Sequence, residues 1–121
     1  MVYEDDDFVA FLDIKPVSTG HTLLIPKAHY KNLVSAPDDL LMKSAVLIKK
    51  LMKQIKEAID SDFVVLSVVG VDIPHLHFHL LPRRHNDGLA NFWPEKEMSK
   101  EELTRTAEQI RKFTLSSVSS I

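Results

Sequence analysis

The chain is expected to fold as an α+β domain: a mostly antiparallel sheet of about five strands, one long helix packed on it, and a C-terminal helix. Three stretches predict this. His75-Leu76-His77-Phe78-His79-Leu80-Leu81 alternates with period two, as a strand does. Leu41, Ala45, Ile48, Met52, Ile55 and Ile59 recur at steps of four and three, one apolar stripe on a helix from Pro37 to about Asp60. Phe63 to Val69 is a near-continuous apolar, β-branched run, as expected of a central strand buried on both faces.

The remaining elements follow in chain order. Residues 2 to 4 and 8 to 13 read as a hairpin around the solvated turn Asp5-Asp6-Asp7, because an Asp side chain can bond its own backbone. Pro16 to Gly20 is a loop, and His21 to Ile25 a strand ended by Pro26. Ser35 is the expected helix cap, Pro37 suits the first turn, and Asp38 and Asp39 favour the helix N-terminus. Lys43, Lys49, Lys50, Lys53 and Lys56 form its solvated outer face. Gly70 breaks the apolar run, and Pro74 favours an extended residue before it. Asn86-Asp87-Gly88 marks a turn. The segment to Pro94 has no clear period, and its Phe92-Trp93 is either a partner contact or a loop anchor. Ser99-Lys100-Glu101-Glu102 is a capping box that opens a helix to about Thr114, with Leu103, Ala107, Ile110 and Phe113 on one face. Residues 116 to 121 are expected to fray.

Composition bounds the function. A chain of 121 residues is one domain on length, spanning 1–121. With 45% hydrophobic and 26% charged residues it has ordinary globular composition. A net charge of -2 gives no general attraction for nucleic acid or for an anionic membrane, so neither is expected as a partner. No apolar run is long enough for a membrane span, and acids stand where a signal peptide carries cations. Cysteine is absent, which suits a reducing cytoplasm and removes thiolate chemistry.

The chemistry concentrates in the alternating stretch. Read as a strand, it lines one face with His75, His77 and His79, and the other with Leu76, Phe78 and Leu80. With six histidines in 121 residues, three at fixed alternate positions would arise by chance at roughly one starting point in ten thousand. Imidazole titrates near neutrality, so one ring can act as nucleophile while a neighbour moves a proton. Rings two residues apart are spaced about 7 Å along a strand, within reach of one phosphate group. Alternate histidines can also hold a divalent metal, the weaker reading here. Cysteine is absent, and Asp72 faces the other side if the strand runs that far.

His-Leu-His-Phe-His-Leu-Leu, followed by Pro82-Arg83, resembles the motif of the histidine triad (HIT) family. So do Val2-Tyr3-Glu4-Asp5-Asp6-Asp7, Ala10-Phe11-Leu12-Asp13-Ile14, Pro16, Gly20-His21-Thr22-Leu23-Leu24-Ile25-Pro26-Lys27 and His29, a likeness running from about residue 2 to 94. The resemblance implies a HIT-like sheet, often joined edge to edge in a homodimer. It also implies a nucleotide-binding hydrolase acting at the α-phosphate of purine mononucleotides or nucleotide conjugates, such as phosphoramidates or acyl-nucleotides, with no cofactor. By that likeness His77 is the nucleophile that forms a nucleotidyl-histidine intermediate. A backbone carbonyl near the first histidine fixes its tautomer. His75 orients, and His79 contacts the phosphate and can protonate the leaving group. His21 lies near the phosphates, Asp13 receives the ribose hydroxyls, and Phe11 and Ile14 neighbour the base. His29 and His85 are assigned no role and read as surface.

The sequence also departs from the family pattern. Many relatives carry a longer N-terminal segment with part of the base pocket, sometimes with a zinc site, so that half is expected to be missing or supplied otherwise. Val71 stands where relatives carry Gln, Asp72 replaces a small or acidic residue, and the loop before the triad is short. Phosphate stabilisation is then expected to rest on His79, His21 and backbone amides. Three alternatives accompany the hydrolase reading: a nucleotide-binding or interaction protein of the same fold with little activity, a metal-dependent hydrolase, and a dinucleoside polyphosphate hydrolase.

Overall fold

The computed structural model describes residues 1–70, 73–89 and 95–113. They fall into two units, Met1–Asp87 and Gly88–Ile121. Val71, Asp72, Phe92, Trp93, Pro94, Thr114 and the tail from 116, all singled out above, lie outside the described residues.

The first unit opens with the expected hairpin, β1 (Tyr3–Glu4) on β2 (Phe8–Leu12), with Tyr3 opposite Ala10. Asp5 builds its turn: Oδ1 accepts from the backbone N–H of Asp7 (2.8 Å) and Phe8 (2.7 Å), and Oδ2 from the Tyr3 hydroxyl (2.7 Å). β3 (Thr22–Pro26), α1 (Asp38–Ile59), β4 (Phe63–Ser67) and β5 (Phe78–Arg83) follow. The five strands form one antiparallel sheet in the order β1-β2-β3-β5-β4. Phe8, Ala10, Leu24, Phe78 and Leu80 lie in one core with Leu47, Ile48, Leu51 and Ile55 of α1. By strand alternation Phe11, Leu23 and His79 face the other side of the sheet.

Four expectations are corrected. Among the described residues β4 is an edge strand paired only with β5, not a central one, and Leu66, Val68 and Val69 keep 45%, 41% and 40% of their surface exposed. A run that is apolar on both sides does not say which chain covers its second face. The buried face of α1 is Ser44, Leu47, Ile48, Leu51 and Ile55, so the stripe is rotated and Ala45 and Ile59 fall outside it. Ser44 can sit there because its hydroxyl donates to the Leu40 carbonyl at 2.8 Å. Ser35 does not cap α1. Pro37 holds the N-cap with no side-chain bond, and Ser35 instead closes a turn with Asn32, accepting its N–H on Oγ and donating its own N–H to Oδ1.

The fourth correction bears on the site. β5 begins at Phe78, so His75 and His77 precede the strand instead of lying in it. β3 pairs Leu24 with Phe78, and two residues further on Pro26 would face Leu76. Proline has no N–H to continue the ladder. Leu76 turns instead to the β3–α1 connection and donates its N–H to the Tyr30 carbonyl at 2.7 Å.

In the second unit Ser99 caps α2 (Lys100–Arg111) as expected, its Oγ accepting the Glu102 N–H at 3.1 Å. The apolar side of α2 is uncovered among the described residues, with Leu103, Ile110 and Phe113 all exposed. No described helix is long and apolar enough to cross a membrane.

Candidate active site

The loop from Asp13 to His21 is set by two backbone bonds, Asp13 N–H to the His21 carbonyl (2.9 Å) and His21 N–H to the Ser18 carbonyl (3.1 Å). Gly20 makes it possible. Its φ is +91, and a Cβ there would lie 2.8 Å from Ile59 Cγ1 and 3.1 Å from Pro82 Cγ. The result is a buried imidazole at position 21 beside His79 on β5, with ring centroids 5.2 Å apart. The His79 ring in turn meets His77 at 4.9 Å, closer than spacing along a strand suggests, because the rings incline toward each other edge to face.

Hydrogen bonds fix which nitrogen carries each proton. Val17 N–H donates to His21 Nδ1 at 3.1 Å, so Nδ1 keeps its lone pair and the proton of the neutral ring sits on Nε2. That N–H faces His79 Nδ1 at 3.0 Å, which must accept it. His79 is thereby left with its proton on Nε2. His77 is set the other way: its Nδ1 donates to the His75 carbonyl at 2.7 Å, leaving the lone pair on Nε2. A ring with a free lone pair and a ring with a free N–H thus stand edge to face.

Burial favours the neutral form of His21 and His79. Burial pushes His21 below the ordinary imidazole range, partly offset by the Asp13 carboxylate. His79 is lowered by burial first, then by His77 and His21, with Asp13 again opposing. Asp13 Oδ2 lies 3.7 Å from His21 Nε2, while Oδ1 accepts the Lys15 N–H at 2.9 Å, so the residue is both a turn former and a neighbour of the histidines.

Other sequence-selected residues are placed unevenly. Phe11 is half-buried on β2, whereas Ile14 is 92% exposed beyond the strand end. His75 does not stack with the other two triad rings: its ring meets His29 at 4.8 Å, Nδ1 to Nδ1 at 3.0 Å, and its Nε2 donates to the Pro26 carbonyl at 3.1 Å. His75 and His77 still share the lining of a cleft of about 270 Å³ with Leu33, Val34, Val68 and Gly70. His29, read from sequence as plain surface, is exposed but bonded to the triad. Its signals were its part in the family resemblance and its place just past the strand beside the triad. His85 is exposed, its ring 5.4 Å from that of Phe63.

Among the described residues Asp13, His21 and His79 offer donor atoms within 4.8 Å of one another, the set that could hold a divalent ion. The Val17 amide argues against it. A ring that accepts a backbone N–H on Nδ1 has its proton on Nε2, and Nε2 is the atom that would have to ligate.

The HIT domain family model matches residues 1–86, and the chain belongs to that family. An uncharacterized HIT-like protein of Methanocaldococcus jannaschii is 38% identical over 92 residues, 73% of this chain and 71% of that one. An adenosine 5'-monophosphoramidase of Schizosaccharomyces pombe is 34% identical over 107 residues, covering 84% and 78%. Among solved structures, a HIT family protein from Bacillus subtilis superposes with a TM-score of 0.79 at 30% identity over 93% of this chain and 86% of that one. A zinc-bound histidine triad family protein from Mycobacterium smegmatis gives 0.69 at 29% identity, covering 92% and 85%.

Proposed function

We propose that the protein is a nucleotide hydrolase acting at an α-phosphate, with His77 as nucleophile. The observation that carries this reading is the 2.7 Å bond from His77 Nδ1 to the His75 carbonyl, which leaves a free Nε2 lone pair on a ring whose centroid is 4.9 Å from that of His79. Nε2 attacks phosphorus, the P–Nε2 bond forms as the bond to the leaving group breaks, and His79 Nε2–H supplies a hydrogen bond or proton to the phosphate or the departing atom. Water then cleaves the nucleotidyl-histidine. In this reading His21 holds His79 in the donating tautomer, Asp13 accepts the ribose hydroxyls, and Phe11 and Ile14 neighbour the base. His75 orients the nucleophile through its carbonyl.

The substrate class proposed is a purine nucleoside phosphoramidate or acyl-nucleotide. Support comes from the monophosphoramidase relative and from an adenylylsulfatase of Arabidopsis thaliana, 33% identical over 84% of this chain and 53% of that one. We read the exposed apolar edge at Leu66, Val68 and Val69 as the surface that pairs two copies. The test is His77→Ala assayed with an adenosine phosphoramidate and titrated with adenosine monophosphate. Turnover is expected to vanish while nucleotide binding persists. Full turnover in the variant removes the nucleophile from the mechanism.

A further inference from the structure

We propose that Ser18 is a positioning residue for His79, its hydroxyl holding the loop whose Val17 amide sets the tautomer of His21 and, through it, that of His79. The proposal rests on the reading of His79 as donor to the phosphate or the leaving group. The loop needs such an anchor. Pro16, Val17 and Thr19 are exposed, so their side chains do not pack it down, and Ser18 and Gly20 are its partly buried residues. Ser18 Oγ donates to the Pro82 carbonyl at 2.8 Å, and the Ser18 carbonyl accepts the His21 N–H at 3.1 Å. Pro82 lies on β5, the strand of His79, so one side chain ties the loop to the element that carries the ring it serves.

Pro82 explains why a hydroxyl is used. β3 pairs Thr22 with Leu80, and two residues further on Gly20 would face Pro82. Proline has no N–H to continue the ladder. The Arg83 carbonyl turns toward β4, where it accepts the Asp62 N–H at 2.9 Å, so by alternation the Pro82 carbonyl turns toward the loop. Ser18 supplies the donor there. With the loop held, Val17 N–H stays on His21 Nδ1 at 3.1 Å, and the His21 proton stays on Nε2. That proton points at His79 Nδ1, 3.0 Å away, and keeps the His79 proton on its own Nε2. Released from Pro82, the loop withdraws the Val17 amide. His21 Nδ1 is then free to take the ring proton, its Nε2 becomes the acceptor, and His79 turns its single N–H toward His21. The lone pair left on His79 Nε2 gives a phosphate neither a hydrogen bond nor a proton.

The experiment compares Ser18→Ala with Ser18→Thr in the full chain, using an adenosine phosphoramidate as substrate and ¹⁵N NMR of the His21 and His79 rings as a second readout. Thr keeps the hydroxyl that Ala removes. The expected result is a kcat at least about tenfold lower in Ser18→Ala with KM little changed, since small misalignments of reacting groups cost this much or more. In the same variant the Nε2–H tautomer of both rings is expected to lose population. Ser18→Thr is expected to recover most of the rate and both tautomers. Should Ser18→Ala not fold, Ser18→Val matches Thr in shape without the hydroxyl and is read in the same way. Unchanged ring tautomers in the hydroxyl-less variant, or an unchanged kcat in an active enzyme, overturn the proposal. If the wild-type protein turns over no phosphoramidate, a tautomer shift in that variant still supports the role of Ser18, and it is the hydrolase reading that falls.

Discussion

At the scale of single residues, hydrogen bonds assign the protons of the histidines. Val17 N–H, His21 and His79 form one directed chain, and the His75 carbonyl directs His77 the opposite way. His21 and His79 are held neutral by burial, below their ordinary value of 6.5. The sign of the consequence is fixed by linkage: between the folded and unfolded values the unfolded chain binds more protons, so folding weakens as pH falls. Their contribution is complete above about pH 6.5 and is lost as pH drops through the folded values. Asp5, lowered by its bond from Tyr3, adds a loss of the same sign at more acid pH, below 3.8. Urea unfolding from about pH 7.5 to about pH 5 is expected to show a falling midpoint, smaller in His21→Asn. A flat profile contradicts neutral burial. Gly20→Ala tests the loop that seats His21. A side chain at φ +91, with its Cβ 2.8 Å from Ile59, is expected to cost about 1–3 kcal/mol in denaturant titration.

At the scale of elements, the sheet fixes His79 and the connections fix the rest. α1 holds the sheet through Leu47, Leu51 and Ile55, and Leu51→Ala is expected to cost about 2–5 kcal/mol in unfolding measurements. Ala45→Ser, on the exposed side, is expected to stay within about 0.5 kcal/mol of the parent. That contrast is where sequence reading went astray. Two apolar rows share α1, and hydropathy favoured the one through Ala45 because Ser44 counts as polar. Only the bond from its hydroxyl to Leu40 makes Ser44 fit for burial. The hairpin, the Ser99 cap and the core face Leu76-Phe78-Leu80 were legible because each rests on a local pattern. The start of β5 was not, since it depends on Pro26 in a strand fifty residues away in sequence. The contact of His29 with residue 75 was not legible for the same reason, since no periodicity announces a contact.

At the scale of the sheet as a whole, β4 is left as an edge among the described residues. Leu66, Val68 and Val69 are half-exposed on or just beyond β4, and long apolar edges attract partners. A second copy pairing there is expected to give a dimer in sedimentation equilibrium, and Leu66→Lys to shift it toward monomer. A monomeric parent would remove that reading. The chemistry itself stands on one atom, His77 Nε2. The most direct test is to quench the reaction with an adenosine phosphoramidate at early times and locate the phosphorus-bound residue by peptide mass spectrometry. The expected result is a nucleotidyl group on His77, absent in His77→Ala together with turnover. An adduct on another residue, or steady turnover by the variant, contradicts it.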